Sequence, residues 1–163
     1  MLNPAAAELQ RRIQSRPLYA AWLLAKLPAA FFCGVRLREL GPERCVTSVP
    51  YGWRSQNPFR STYFAAQAMA AEMSTGALVL LAAADAEVPF STLIVDMRAT
   101  FGKKAVDTAT FTCAGGEAVF AAVREAKATG EPRAVSLETV GTMADGAEVS
   151  RFTFTWSVKA RSR

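Results

Sequence analysis

Hydrophobic and polar positions follow a helical pattern in the first part of the chain, residues 1–32. An apolar run over residues 18–27 follows three arginines, an order also found in signal peptides. However, Lys26 interrupts the run, Pro28 ends it, and no small-x-small cleavage site follows. The run is also too short to span a bilayer. We therefore predict an N-terminal helix, or a helix pair broken at Pro17, that packs on the rest of the domain.

Two short strands are predicted after this helical segment. Apolar and basic residues alternate over residues 35–38, which indicates a half-buried strand that stops at Gly41 and Pro42. A second strand, Cys45–Val49, lies at hairpin distance from the first. The residues that follow contain proline, glycine and asparagine and are expected to form an irregular connection.

The alanine-rich segment of residues 60–76 is near-neutral, since it has no lysine or arginine after its first residue and contains a single carboxylate, Glu72. A helix of this composition is apolar on nearly every side, so we expect it to be surrounded by protein. Gly76 is well placed to end this helix as the residue after its C-cap. Residues 77–84 are then predicted to form a separate buried strand.

The second half of the chain is rich in strands. The predicted elements are strands over residues 91–101 and 106–113, a short amphipathic helix over 117–127, and two long strands over 133–143 and 148–159. In the first of these strands, Leu93, Val95 and Met97 are predicted to share one face. Asp145-Gly146, between the last two strands, indicates a tight hairpin.

The order of these elements predicts an α+β fold with an antiparallel sheet of about five to seven strands, which must cover its apolar face. The helix over residues 60–76 is the element apolar enough to do so. We therefore expect one domain, residues 1–163, in which the sheet wraps a long central helix.

The composition restricts the chemistry that is available. The chain has no histidine, which removes the usual general base and the commonest metal ligand. Its cysteines, Cys33, Cys45 and Cys113, lack a paired metal-type spacing and are expected to be free thiols in a reducing cytoplasm. The net charge of +5 is scattered along the chain. A basic surface of this kind suits an anionic partner or simple solvation, and it is not the stripe of a nucleic-acid-binding protein.

Glu72 is the leading candidate for chemistry, because a buried carboxylate must be paired, hydrogen-bonded, shifted in pKa or open to a cleft. One interpretation is a base that activates water, with Ser74 or Thr75 positioning that water. The other is a structural acid satisfied by Arg98, by Arg60 or by a partner subunit. The residues alone leave both open.

The segment from Gln56 to Gly76, with its Asn57-Pro58 turn and its alanine-rich helix, resembles the hotdog superfamily. More closely, it resembles a poorly characterised, thioesterase-like group of hotdog proteins. The likeness extends from about Leu18 to the end of the chain and includes the closing residues 154–159.

This resemblance implies a hotdog fold, with a long central helix wrapped by an antiparallel sheet. It also implies a homodimer, or a dimer of dimers, with active sites at the dimer interface. The expected substrates are acyl thioesters of coenzyme A or of acyl carrier protein. No metal or other cofactor is expected, since coenzyme A or phosphopantetheine would enter as part of the substrate. Neither nucleic acid nor membrane insertion is expected.

The resemblance also implies roles for particular residues. Glu72 matches a catalytic carboxylate, Asn57 matches a polar residue in the turn before the helix, and Thr75 is assigned with them to catalysis. Backbone N–H groups at the helix start would polarise the thioester carbonyl. The residues expected to bind substrate are Gln56, Phe59, Tyr63, Phe64, Ala65 and Gln67.

Two hypotheses from different classes follow. The first is an acyl-thioester hydrolase that uses Glu72. The second is a non-catalytic acyl-binding or interaction dimer, since Tyr63-Phe64-Ala65 stands where many relatives have a histidine and two glycines. In the second hypothesis an apolar lining, including Phe59, would hold the acyl chain.

Overall fold

The computed structural model describes residues 1–161, over which a six-stranded antiparallel sheet surrounds a 22-residue helix. Over these residues the helices are α1 (Pro4–Gln14), α2 (Arg16–Lys26), α3 (Pro28–Cys33), α4 (Phe64–Asp85) and α5 (Gly116–Thr129). The strands are β1 (Arg36–Leu40), β2 (Cys45–Val49), β3 (Phe90–Phe101), β4 (Ala109–Cys113), β5 (Arg133–Thr142) and β6 (Glu148–Ala160). The strand order across the sheet is β1-β2-β4-β5-β6-β3. The expected α+β hotdog arrangement is confirmed.

Helix α4 forms the centre of the fold. It contacts β1, β2, β4, β5 and β6 and is also covered by α1, α3 and α5. Leu78, Val79 and Leu81 are almost completely buried, and each such side chain contributes about 1.5–3 kcal/mol of transfer free energy. By length and composition α4 could cross a membrane, but in this fold most of it lies inside the protein.

The prediction that a helix ends at Gly76 and a strand follows over residues 77–84 is wrong. Helix α4 continues through Gly76 to Asp85 in one piece. In a short apolar run, the pattern alone does not distinguish a buried strand from a buried helix segment. Leucine and alanine, which dominate this run, are strong helix formers. Gly76 lies inside the helix at a position where two side chains occupy the space beside it, as described below.

The N-terminal segment consists of three helices, each with a proline in its first two positions. Of the two predicted alternatives, the break at Pro17 is the one observed, since α1 ends at Gln14 and Pro17 lies in the first turn of α2. Asn3 anchors the segment, because its backbone N–H donates to Asp85 Oδ1 at 2.7 Å and its side chain donates to the Asp85 carbonyl at 2.8 Å. The segment is thereby held at the C-terminal end of α4.

The remaining elements agree with the sequence pattern apart from their ends. The final hairpin is confirmed, with Gly146 at a φ of 80° and the Asp145 carboxylate accepting from the Ala147 N–H at 2.9 Å. The strand predicted over residues 106–113 begins only at Ala109. The cysteines are free thiols, as expected, and Cys45 and Cys113 are buried.

The face assignment in β3 is wrong, because a β-bulge lies between Ile94 and Asp96. A bulge inserts one extra residue and reverses the alternation beyond it. Ile94 pairs with buried Trp156, and beyond the bulge Met97 pairs with buried Phe154, so both point towards the core side of the sheet. Leu93 points to the opposite side. As the last strand in the order, β3 leaves one edge of the sheet uncovered over residues 1–161.

Candidate active site

The Glu72 carboxylate folds over Gly76, one helical turn further along α4. A methyl group at Gly76 would come within 2.9 Å of Glu72 Oε1 and 3.4 Å of the Trp156 ring. The absence of a side chain at Gly76 therefore leaves room for both the carboxylate and the indole. Trp156 comes from β6, so the sheet as well as the helix fixes the position of the acid.

Within residues 1–161, Glu72 makes no side-chain hydrogen bond and no ion pair. Arg98, one of the partners considered from sequence, lies 3.5 Å from Asp96 instead, and Arg60 lies exposed in the turn before α4. No fully buried side-chain oxygen in this part of the chain lacks a partner, so the Glu72 oxygens still reach open space. Burial raises the pKa of Glu72 above its ordinary value.

The open space beside Glu72 is an apolar cleft, which we call the Glu72 groove. It holds about 100 Å³ and runs between α4, the N-terminal helices and the start of β3. Its walls include Tyr19, Trp22, Leu27, Met73, Gly76, Leu80, Thr92 and Trp156. An acid in such a setting can act as a base towards a substrate that enters an otherwise apolar site.

Thr75 and Ser74 are both fully buried and both bonded within the fold. The Thr75 hydroxyl donates to the Glu72 carbonyl at 2.9 Å and accepts from the Trp156 indole N–H at 3.0 Å. The Ser74 hydroxyl interacts with the Ala71 carbonyl and with Thr139. Thr75 thus fixes the orientation of the Trp156 ring, and neither hydroxyl lines the Glu72 groove.

Asn57 organises the turn before α4. Its side-chain oxygen accepts from the backbone N–H groups of Phe59 and Ser61, at 3.0 and 3.2 Å. This is the local bonding expected of an asparagine in a turn. Gln56 is exposed and forms a β-bridge with Thr62 across the same turn.

The start of α4 lies in a second cleft, the turn pocket, which holds about 410 Å³. Phe59, Tyr63 and Phe64 line it and are about half exposed or more, at 73%, 47% and 54%. Gln67, also in the lining, is almost buried, and its side chain donates to the Thr62 carbonyl and accepts from Ser150. Phe101 from the end of β3 closes another side.

Two backbone amides at the start of α4 are free of protein partners over the described residues. The Tyr63 N–H donates to the Ser55 carbonyl at 2.7 Å, and no side chain caps the helix. Since the first amides of a helix have no partner within it, the Phe64 and Ala65 N–H groups remain available. They are positioned to bind a developing negative charge.

The structure therefore divides the candidate residues between two clefts. Glu72 belongs to the Glu72 groove, whereas Asn57, Tyr63 and Phe64 belong to the turn pocket, and no residue lines both. Eight residues of α4 separate Phe64 from Glu72, which corresponds to about 12 Å along the axis. Within one chain, the acid and the free amides cannot act on the same carbonyl.

Sequence reasoning missed several residues of the Glu72 groove. Tyr19 and Trp22 come from the N-terminal segment, which was expected only to pack. Trp156 was noted as part of a strand. One signal was present, namely the four-residue spacing of Glu72 and Gly76, which places a small residue beside the acid on the same helix face.

The chain matches one protein family in sequence and several solved structures in fold. A model of the family described as Domain of unknown function (DUF4442) matches residues 18–158. A protein of unknown function from Chlorobaculum tepidum superposes with a TM-score of 0.78 and 11% identity, covering 96% of this chain and 98% of its own. No curated protein matches the chain in sequence.

Two further solved structures share the fold. A protein of unknown function from Pseudomonas aeruginosa, described as a probable thioesterase, has a TM-score of 0.72 and 22% identity, with 89% of this chain and 97% of its own covered. A thioesterase from Haemophilus influenzae has a TM-score of 0.63 and 13% identity, with 84% and 86% covered. At these identities the likeness establishes a shared fold.

Replacing Glu72 with glutamine should stabilise the protein at about pH 8 but not at about pH 4. A carboxyl group whose pKa is raised on folding binds its proton more tightly in the folded state. Ionised Glu72 in the folded state lowers the free energy of unfolding. This loss is absent below the ordinary pKa of about 4.3 and grows as the pH rises through the raised value. Thermal unfolding of wild type and Glu72→Gln across this range measures the effect.

The control for this measurement is Glu131→Gln, which alters an exposed acid beyond α5. It should shift the midpoint of unfolding little at either pH. A Glu72→Gln variant that is less stable than wild type at high pH would show that the carboxylate has a favourable partner in solution.

Proposed function

The chain belongs to the DUF4442 family, and we propose that it is a hydrolase of acyl thioesters. The observation that carries the proposal is the Glu72 carboxylate, which is half-buried, unpaired within residues 1–161 and open to an apolar groove. Fold neighbours described as thioesterases support the reaction class. The carrier would be coenzyme A or acyl carrier protein, in the cytoplasm.

In this mechanism Glu72 acts as a general base. It takes a proton from water as the water oxygen attacks the thioester carbonyl, and a tetrahedral intermediate forms. The intermediate collapses by breaking the carbon–sulfur bond, and the thiol leaves with the proton held by Glu72. Because burial raises the pKa of Glu72, its ionised form is a stronger base than an exposed carboxylate.

The oxyanion of that intermediate would be bound by the free N–H groups of Phe64 and Ala65. Since these amides lie about 12 Å from Glu72 along one helix, they would have to come from a second copy of the chain. We therefore place the active site at a homodimer interface.

The two ends of β3 support this arrangement. Thr92, near the start of the strand, lines the Glu72 groove, and Phe101, at its end, lines the turn pocket. If β3 pairs with its copy in antiparallel fashion about the middle of the strand, the start of one strand lies beside the end of the other. The Glu72 groove of each subunit would then adjoin the turn pocket of its partner.

The edge of the sheet has the properties of such an interface. Leu93, Val95 and Met97 are exposed by 65%, 55% and 51%. An uncovered edge strand with apolar side chains is a template for pairing with another chain. Joining two β3 strands would give these side chains neighbours from the second strand on each side of the sheet.

The alternative is a non-catalytic acyl-binding dimer, and one observation favours it. The helix start carries the side chains of Tyr63 and Phe64, where glycine would allow a closer approach of the substrate to the backbone. Such a protein would be stabilised thermally by long-chain acyl ligands without releasing thiol.

The Glu72→Gln variant should lose most of the hydrolytic activity. Loss of a general base costs about 10²–10⁴-fold in rate, so release of free thiol from a panel of acyl-coenzyme A chain lengths should fall by that factor. Wild-type rates in Glu72→Gln would remove the residue from the mechanism. No thiol release by the wild type, on coenzyme A or on acyl carrier protein, would favour the binding alternative.

Gly76→Ala should reduce activity without unfolding the protein. The added methyl group would approach Glu72 Oε1 to 2.9 Å and displace the flexible carboxylate from its place beside Trp156. Alanine in a helix interior gains about 1 kcal/mol over glycine, which offsets the crowding. The thermal midpoint should stay near wild type while kcat falls. Gly52→Ala, with no atom within 4 Å of the new methyl group, is the matched control.

Val95→Lys should separate the proposed dimer into inactive monomers, because a lysine on an edge strand opposes pairing. Light scattering after size-exclusion chromatography measures the mass, and thiol release measures activity. Thr112→Lys, on an exposed position of β4, should change neither. Full activity in a Val95→Lys monomer would contradict an active site shared between subunits.

A further inference from the structure

Four arginines surround a cleft that adjoins the Glu72 groove. Arg16 lies in the first turn of α2, Arg36 and Arg38 lie on β1, and Arg54 lies in the connection after β2. The cleft holds about 370 Å³, and no aspartate or glutamate is among its lining residues. We call it the arginine cleft.

These arginines are not neutralised by the protein over residues 1–161. None of the four takes part in an ion pair there, whereas Arg11, Arg12, Arg44, Arg98, Arg133 and Arg151 all pair with carboxylates. Among the four, Arg38 donates to the neutral Ser48 hydroxyl at 2.7 Å. Like charges gathered around one cleft repel one another. A multiply charged anion would remove that repulsion.

The start of α2 adds to the positive potential. Helix α2 has no acidic residue in its first turn and no side-chain cap on its first amides. The N-terminal end of a helix carries a partial positive charge, and here an arginine lies beside it rather than an acid. The cleft therefore combines four guanidinium groups with the uncapped start of α2.

The arginine cleft lies next to the Glu72 groove. Ile13, Tyr19 and Leu37 line both. One molecule could thus place an apolar, reactive end beside Glu72 and an anionic end among the arginines. Guanidinium groups bind phosphate oxygens with paired hydrogen bonds, which makes arginine well suited to this task.

From this arrangement we infer that the arginine cleft binds the phosphates of the nucleotide end of coenzyme A, and so selects coenzyme A thioesters over acyl carrier protein. This inference rests on the proposed thioesterase function of the adjoining groove. A nucleotide with a diphosphate and a 3′-phosphate supplies several negative charges within a compact volume. The prosthetic group of an acyl carrier protein supplies a single phosphodiester. The carrier protein itself would bind an open surface rather than a cleft.

The experiment compares wild type with Arg36→Gln/Arg54→Gln and with Arg124→Gln, an exposed arginine of α5 that lies away from the cleft. Binding of adenosine 3′,5′-bisphosphate is measured by calorimetry, with inorganic phosphate as a second probe. The bisphosphate should bind wild type and Arg124→Gln, and its affinity should fall roughly tenfold or more in the double variant. Inorganic phosphate should bind far more weakly than the bisphosphate.

Measurements of hydrolysis test the phosphate site separately from the proposed thioesterase function on which it rests. For acyl-coenzyme A, KM should rise about tenfold or more in the double variant, with kcat little changed. An acyl-N-acetylcysteamine thioester has no phosphate, so the wild type and the double variant should cleave it equally. Wild type should also prefer acyl-coenzyme A to its 3′-dephospho form. Bisphosphate binding without any thioester cleavage would refute the proposed hydrolase and retain the phosphate site.

Three results would overturn the inference. The first is equal bisphosphate affinity in the double variant and in Arg124→Gln. The second is a loss of activity in the double variant on acyl carrier protein but not on acyl-coenzyme A. The third is equal affinity for inorganic phosphate and the bisphosphate, which would indicate a general anion site. Matching thermal midpoints of the three proteins show that the comparison reports on binding.

Discussion

The burial of helix α4 is the constraint on which the rest of the structure depends. The helix has no lysine or arginine between Phe64 and Asp85, so it can be stable in water only when a sheet surrounds it. That requirement also determines the state of its one interior acid. Glu72 is carried into a region where the neighbours are alanine, methionine and tryptophan, and its pKa rises because those neighbours offer no compensating charge.

The N-terminal helices complete what the sheet leaves open. They cover the side of α4 that carries Glu72, and their attachment through Asn3 to Asp85 holds them at the end of the same helix. Tyr19 and Trp22 then form walls of the Glu72 groove, while Arg16 contributes to the arginine cleft. A segment that could have been an accessory to the fold therefore supplies walls to both clefts.

The sequence allowed the fold to be predicted well, because periodicity and turn residues are local signals. The final hairpin and Cys45–Val49 were placed correctly from such signals. The errors arose where a distant residue decides the local structure. Glu72 and Trp156 fill the space beside Gly76, so that glycine fits inside the helix, and the bulge after Ile94 reverses the alternation of side chains in β3. The candidate site was predicted only in part. Glu72 could be identified from composition, but its separation from Phe64 along the helix became clear only from the two clefts.

The direction in which Glu72 can act follows from the same packing. Glu72 lies beside Gly76 on the side of α4 that faces Trp156 of β6, and the groove that opens from it reaches Thr92 of β3. Because β3 is the last strand in the order, this opening lies at the edge of the sheet rather than at its centre. A substrate bound there would meet whatever covers the edge. The exposed apolar side chains of β3 favour a second copy of the chain in that place, and in the proposed dimer that copy would bring its free helix start to the thioester carbonyl.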